Sequence, residues 1–148
     1  MCMNAYLESK PQCKPQDNMF EALTNNILVT AMPVYIDERS APDQSRYFWA
    51  YRIAIQNRGA VGVQLISRYW HIVDASGHVE EVRGEGVVGE QPLIGPGEIF
   101  EYTSGCPLTT PSGFMRGTYR MLDETGRQFD AEIPGFPLDL PDAKHVLN

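Results

Sequence analysis

The feature of this sequence that most restricts its fold is an alternation of apolar and polar side chains with a period of two residues. The pattern is clearest over Arg46–Gln56, where one face of an extended strand would carry large apolar side chains: Tyr47, Trp49, Tyr51, Ile53 and Ile55. Aromatic and β-branched residues at alternate positions are typical of a strand with one buried face. We therefore predict a strand over this segment, with that face in the core.

Similar runs recur along the chain, and turn-forming residues separate them. They are Ile27–Ile36, Val63–Val73, His78–Arg83, Ile99–Ser104, Phe114–Leu122 and Gln128–Ile133. No segment longer than about two turns has helical periodicity, which excludes a parallel sheet with crossover helices. The sequence predicts an all-β fold, an immunoglobulin/fibronectin type III-like β-sandwich of about seven to eight antiparallel strands.

Two of these runs carry further information. Pro33 lacks the N–H that a sheet ladder needs, so Ile27–Ile36 is predicted to be an edge strand or to contain a bulge. Such an edge could pair with another copy, and we expect a monomer or a weak homo-oligomer. The run Val63–Val73 has large side chains on both faces, so it is either a central strand or a strand that also covers something outside the core.

The chain divides into three parts. Residues 1–24 are predicted to be a disordered N-terminal extension, because Pro11 and Pro15 oppose both helix and strand. A short turn of helix over Met19–Leu23 is the regular element expected there. Residues 25–141 are predicted to form the β-sandwich domain, and residues 142–148 a C-terminal tail.

The charge balance argues against several classes of partner. There are 19 acidic residues and 12 Lys and Arg, which give a formal net charge of -7. A nucleic-acid surface or an anionic membrane surface would need clustered basic residues. No apolar run approaches the ~20 residues of a membrane span, and no secretory signal is recognisable. The cysteines, Cys2, Cys13 and Cys106, form no disulfide framework, so a cytoplasmic location is predicted.

The chain contains a glycine pattern of the type G-x-G-x-x-G, formed by Gly84, Gly86 and Gly89. In dinucleotide-binding folds such a pattern follows a strand and precedes a helix, but Pro92 and Pro96 prevent a helix here. Two interpretations stay open. The glycines can serve a β-connection that needs positive φ angles. Alternatively, the loop amides can bind pyrophosphate or a nucleotide with help from Arg83 or Arg68, although Glu85 and Glu90 would repel such a ligand.

No group of residues has the spacing of a catalytic or metal site. The candidates are His71, His78 and His145, the loop acids Asp37, Glu38 and Asp43, and the thiol of Cys106. The histidines lack zinc-type spacing, the acids lack EF-hand spacing, and the thiol has no identifiable base. We therefore predict no catalytic residue, no metal ligand and no cofactor. The alternative, an uncharacterised hydrolase or metal-binding protein, would need clustering in the fold, such as Glu80 and Glu81 beside His78.

A run of cationic and aromatic side chains, Arg68, Tyr69 and Trp70, is a candidate partner patch. Aromatic residues and arginine contribute most of the binding energy in many protein interfaces. The same residues can simply pack in the core. The interaction hypothesis therefore needs Tyr69 or Trp70 to be exposed.

Several motifs in order resemble the bacterial ApaG family. They are Ser67–Trp70, Gly84–Ile94, Pro96–Glu98, Tyr102–Gly105, and Ser112–Gly117 with Tyr119. The resemblance extends over about residues 25–140.

The resemblance implies a fibronectin type III-like sandwich that binds rather than catalyses. Similar domains occur in F-box proteins and in a polymerase-delta-interacting protein, where they look like protein-interaction modules. The family is also linked to cobalt and magnesium efflux and to diadenosine tetraphosphate metabolism, and its glycine motif has been proposed to contact pyrophosphate. Three hypotheses follow: a module that binds an unknown protein partner, a sensor that binds pyrophosphate or a nucleotide at Gly84–Gly89, and a hydrolase or metal-binding protein.

Overall fold

The computed structural model describes residues 18–141, and these residues form two antiparallel sheets. The nine strands are β1 (Phe20–Thr24), β2 (Ile27–Tyr35), β3 (Tyr47–Asn57), β4 (Val63–Asp74), β5 (Val79–Glu85), β6 (Leu93–Ile94), β7 (Ile99–Leu108), β8 (Gly113–Asp123) and β9 (Gln128–Leu138). Two single turns of 3₁₀ helix, Asp37–Arg39 and Pro42–Gln44, lie between β2 and β3. The predicted all-β class is confirmed.

The two sheets face each other across one apolar core. The first sheet has the order β1-β2-β3-β7, and the second has the order β5-β4-β8-β9 with β6 paired to β4. The predicted inward face of β3 is confirmed, since Ile53 and Ile55 are 0% exposed and Trp49 is 1% exposed. The indole Nε1 of Trp49 donates to the carbonyl oxygen of Asp139 (2.9 Å), which satisfies the polar group of this buried ring.

The N-terminal boundary of the domain differs from the prediction. Phe20–Thr24 is a strand rather than a turn of helix or part of a disordered extension. A two-residue turn joins it to β2, and both turn residues have positive φ angles, Asn25 at 48° and Asn26 at 68°. This is the type I′ hairpin geometry that asparagine tolerates. The remainder of the predicted extension, residues 1–17, and the predicted tail, residues 142–148, lie outside the described residues.

The predicted edge at Ile27–Ile36 is wrong for the first half of that segment and confirmed for the half that contains Pro33. Strand β1 covers β2 as far as the pair Phe20–Ala31, and β3 pairs with its other side. Pro33 lies beyond the last pair with β1, where its missing N–H faces no strand among the described residues. The predicted oligomeric state stays a prediction.

A bulge in β4 explains why this central strand looks apolar on both faces. Leu65 pairs with Met121, but the next pair is Ser67 with Arg120, so Ile66 is an extra residue. An extra residue reverses which face the following side chains occupy. Arg68, Trp70 and Ile72 therefore point between the sheets, whereas Tyr69 lies on the outer face.

The two lateral sides of the sandwich differ. On one side β1 approaches β9, where the rings of Phe20 and Phe136 are 6.4 Å apart and the Glu132 amide donates to Thr24 Oγ1 (3.1 Å). On the other side β5 and β7 end their sheets, and no further strand of residues 18–141 pairs with either edge. We call this second side the open side.

Candidate interaction groove

A groove between β5 and β7 runs along the open side and consists of two adjoining cavities. The loop cavity, about 480 Å³, lies between Tyr51, Arg68, Trp70, Val82, Tyr102 and the loop Val87–Gly89. The distal cavity, about 560 Å³, lies between Arg39, Arg46, Phe48, Asp74 and His78. The two cavities share walls at Ile72, Glu80 and Pro107, so an extended ligand could occupy both.

The β5 side of the groove presents backbone groups that β4 does not use. The Gly86 amide donates to the carbonyl oxygen of Ile66 (2.9 Å) at the end of the β4–β5 ladder. Bonded and non-bonded pairs alternate along an antiparallel ladder. The N–H and C=O groups of Glu81 and Arg83 therefore point away from β4 and towards the edge.

Arg68 projects its guanidinium into the loop cavity. Its partner on β5 is Gly84, where a Cβ would lie 2.9 Å from Arg68 Cζ, so the glycine makes room for the arginine. Arg68 Nη1 donates to the carbonyl oxygens of Gly86 (2.8 Å) and Glu85 (3.1 Å). No Asp or Glu oxygen in the described part of the chain forms an ion pair with this guanidinium.

Three tyrosine hydroxyls lie inside the sandwich close to this guanidinium. The hydroxyls of Tyr102 and Tyr119 are hydrogen-bonded to each other. Burial raises the pKa of Tyr51, Tyr102 and Tyr119, while the charge of Arg68 opposes the rise at each of them. All three hydroxyls therefore stay neutral at physiological pH, and they leave the positive charge of Arg68 uncompensated.

The glycine motif has a structural explanation for each of its glycines. Gly84 accommodates Arg68, as described above. Gly86 has φ of 64°, and a Cβ there would overlap the carbonyl oxygen of Glu90. Gly89 has φ of 82° in the turn that follows. The amides of Gly86, Val87 and Glu90 already donate to backbone carbonyls, so few loop amides point outwards for an anion.

The turn at the tip of this loop carries an unusual residue. Val87 and Glu90 exchange both backbone hydrogen bonds (2.8 and 2.9 Å), so Val88 and Gly89 form a two-residue turn. Val88 has φ of 43° and is 56% exposed. Positive φ is a genuine outlier for a β-branched residue. The sequence alone did not single out Val88. The dipeptide Val88-Gly89 does carry a signal of strain, because valine stands where such a turn usually has asparagine or aspartate before the glycine.

A family model described as the ApaG domain matches residues 37–123. Relatives named Protein ApaG from Azorhizobium caulinodans and Brucella canis are 58% and 54% identical to this chain over 130 residues. The alignments cover 88% of this chain and 100% of each relative. The chain belongs to the ApaG family. A crystal structure described as the ApaA protein of Bordetella pertussis is 51% identical, with a TM-score of 0.76 over 78% of this chain and 94% of that chain.

The predicted partner patch is divided by the ApaG fold. Trp70 is 3% exposed and packs edge-on against Tyr51, with ring centroids 5.2 Å apart, so its assignment to an exposed patch is wrong. Tyr69 lies half-buried on the outer face, where its hydroxyl donates to Glu81 Oε2 (2.6 Å) and the guanidinium of Arg83 lies 4.7 Å from its ring centroid. Arg83 therefore lies on the outer face of the sheet and not beside the loop cavity that the glycines border.

The other sequence candidates do not assemble into a reactive site. Burial raises the pKa of the Cys106 thiol to about 12, with a smaller contribution from Glu80, so the thiol is neutral. Glu80 lines the groove, whereas Glu81 is bonded to Tyr69 on the outer face. Within residues 18–141, no group of three His, Cys, Asp or Glu side chains could hold a metal ion. His145 lies outside the described residues.

No helix in the described part of the chain is long and apolar enough to cross a membrane.

Proposed function

We propose that this ApaG domain is a non-enzymatic, cytoplasmic module that binds an extended segment of a protein partner in the groove. The observation that carries the proposal is the position of two strand edges, β5 and β7, on the same side of the sandwich with a groove between them, where no strand of residues 18–141 pairs with either edge. An extended peptide can add to such an edge through backbone hydrogen bonds, and pockets for alternate side chains give specificity. A link to cobalt or magnesium efflux would then act through the partner.

Val88 supports a partner at this position. Left-handed backbone costs a residue with a Cβ about 1–2 kcal/mol, and Val88 stays 56% exposed in the free domain, so its burial offsets little of that cost. Local backbone strain concentrates at functional sites. A bound segment would cover Val88 and offset its cost.

The neutral state of Cys106 supports a binding role rather than nucleophilic catalysis, since the thiolate is the reactive form. Glu80 shares the distal cavity with Asp74 and His78, but no group of three His, Cys, Asp or Glu side chains in residues 18–141 could hold a metal ion. We therefore assign the groove to recognition.

The test is a selection from a display library of random peptides about twelve residues long, long enough to span β5 at ~3.3 Å per residue. Selected peptides would be titrated into the full-length ¹⁵N-labelled protein. We expect saturable amide shifts along Val79–Glu85 and Ile99–Leu108. Shifts confined to the outer face of β4 and β8 would contradict the groove as the binding site.

A matched pair of variants tests the edge directly. Arg83→Pro removes a backbone N–H that points to the edge, whereas Arg83→Ala removes the same side chain but keeps the N–H. We expect Arg83→Pro to weaken peptide binding at least about tenfold, the value of one net hydrogen bond of ~1.4 kcal/mol. Arg83→Ala should bind like the unsubstituted protein. Thermal unfolding of both variants controls for folding, and equal affinities of the two folded variants would refute strand addition at β5.

The competing hypothesis of a pyrophosphate or nucleotide sensor is tested in the same spectra. Pyrophosphate, ATP and diadenosine tetraphosphate are titrated with and without Mg²⁺. Saturable shifts centred on Gly84–Gly89 would favour the sensor over the protein-binding module. We place this hypothesis second because the loop already uses the amides of Gly86, Val87 and Glu90 internally.

A further inference from the structure

We propose that Arg68 is the receptor for a carboxylate, supplied by an Asp or Glu side chain of the bound segment. This inference rests on the proposed function, because it identifies the chemistry of the segment that occupies the groove. The site is the loop cavity, where Arg68 comes from β4 and the loop Val87–Gly89 forms the rim.

The guanidinium is held in place with donors to spare. Its protein hydrogen bonds use Nη1 alone, which donates to the carbonyl oxygens of Gly86 (2.8 Å) and Glu85 (3.1 Å). These bonds and the contact with Gly84 fix the plane of the group. The Nη2 and Nε hydrogens have no hydrogen-bond partner in residues 18–141, and together they form the fork that binds a carboxylate through two parallel bonds.

The surroundings favour a single negative charge over a phosphate group. Among residues 18–141, the guanidinium of Arg68 and the carboxylate of Glu80 line the cavity, whereas Glu85 contributes its backbone carbonyl oxygen to Arg68. The repulsion from the Glu80 carboxylate is larger for a doubly charged phosphate than for a carboxylate, which carries one charge and matches the planar fork. The neighbouring tyrosine hydroxyls are neutral and add no repulsion.

Strand addition places alternate side chains on the same face of the bound segment. If one of them reaches Arg68, a residue two positions away meets the apolar wall formed by Trp70, Val82 and Ile72. The expected recognition pattern is therefore an acidic residue and an apolar residue separated by one position.

The first experiment uses propionate, which has the carboxylate of an Asp or Glu side chain, and its neutral analogue propionamide. Both are titrated into the full-length protein at constant ionic strength while the Nε–Hε resonance of Arg68 is followed by NMR. We expect a saturable shift with propionate and none with propionamide. Arg68→Met should abolish the shifts of the surrounding amides, and Arg68→Lys, which keeps the charge but loses the fork, should weaken binding several-fold. An absence of propionate shifts at Arg68, or equal binding by folded Arg68→Met, would overturn the inference.

The second experiment separates this inference from the proposed function. The same peptide library is selected on the unsubstituted protein and on Arg68→Met. We expect Asp or Glu at a fixed position in the first set, its loss from the second set, and at least tenfold weaker binding of an acidic peptide to Arg68→Met. Groove-binding peptides without a fixed acidic position would overturn the role of Arg68 and leave the proposed function standing. If no selected peptide shifts β5 or β7, the proposed function fails, and the assignment of the carboxylate to a protein segment fails with it.

Discussion

Replacement of Val88 by asparagine is expected to stabilise the free domain. Val88 occupies the first position of a type I′ turn with φ of 43°. A β-branched residue in the left-handed region costs about 1–2 kcal/mol, and asparagine avoids most of this cost because its short side chain bonds locally. The isopropyl group is 56% exposed, so its removal loses little burial. We therefore expect the free energy of unfolding to rise by about 1 kcal/mol, and the melting temperature by about 2–5 °C.

The chain contains its own control for this argument. The turn between β1 and β2 has the same geometry, with Asn25 at φ of 48° in the equivalent first position. Asn25→Val is the reverse substitution and should lower the free energy of unfolding by about 1 kcal/mol. Val61→Asn changes another exposed valine, which lies in a loop without positive φ, and should stay within about 0.5 kcal/mol of the unsubstituted protein.

The assay is urea unfolding at 25 °C, followed by tryptophan fluorescence, with the thermal midpoint as a second readout. If Val88→Asn leaves stability unchanged or lowers it while Asn25→Val destabilises, then packing of Val88 on the loop outweighs the strain. That result would refute the reasoning that Val88 is kept at a cost to the fold. If the variant stabilises the domain and also weakens binding of groove peptides, stability and function make opposite demands on this residue.

Two further predictions concern the glycines of the loop and the buried thiol and tyrosine hydroxyls. Gly86→Ala should lower the free energy of unfolding by about 2–5 kcal/mol, because the new side chain combines a left-handed φ with overlap onto the Glu90 carbonyl oxygen. Gly89→Ala has the same left-handed φ but open space around the new Cβ, so it should cost only about 1–2 kcal/mol. Equal costs in urea unfolding would contradict the structural role of Gly86. Burial raises the pKa of Cys106 from 9.0 to about 12 and also raises the pKa of the buried tyrosines. These groups therefore lose their protons at lower pH in the unfolded chain than in the folded domain, and the free energy of unfolding should fall above about pH 9. Each such group contributes a loss of about 1.4 kcal/mol per pH unit, and Tyr119→Phe should make the decline shallower; an unchanged slope would contradict this assignment.

The alternation of β3 could be interpreted correctly because nothing interrupts its period. Every second side chain from Trp49 to Ile55 faces the same core, and the pairs with β2 and β7 continue without a register shift. Strand β9 shows the limit of the same reasoning. Pro134 and Pro137 suggest an end at Ile133, but β9 is an outer strand of its sheet, where missing N–H groups are tolerated, and it continues to Leu138.

The orientation of Arg68, Tyr69 and Trp70 could not be predicted from the alternation. Counting from Leu65 without the bulge places Tyr69 inwards and Trp70 outwards. The extra residue at Ile66 inverts both assignments, and a bulge has no reliable sequence signature here.

The glycine motif was ambiguous for a related reason. Its spacing is visible in the sequence, but the close approaches that require Gly84 and Gly86 come from a side chain and a carbonyl that only the folded chain brings together.

The charged side chains at the open side explain why the sandwich stays open there and which kind of partner segment it would bind. On the opposite side Phe20 and Phe136 fill the space between β1 and β9 with apolar contacts. Between β5 and β7 the corresponding space is lined by Arg68 and Glu80, and a charged side chain without a partner can be buried only at a high free-energy cost. Charged side chains that point inwards at an edge also prevent uncontrolled strand pairing between copies. A segment that supplies a carboxylate to Arg68 would satisfy the guanidinium, so a single residue would both keep the edge from pairing indiscriminately and allow it to accept a suitable partner.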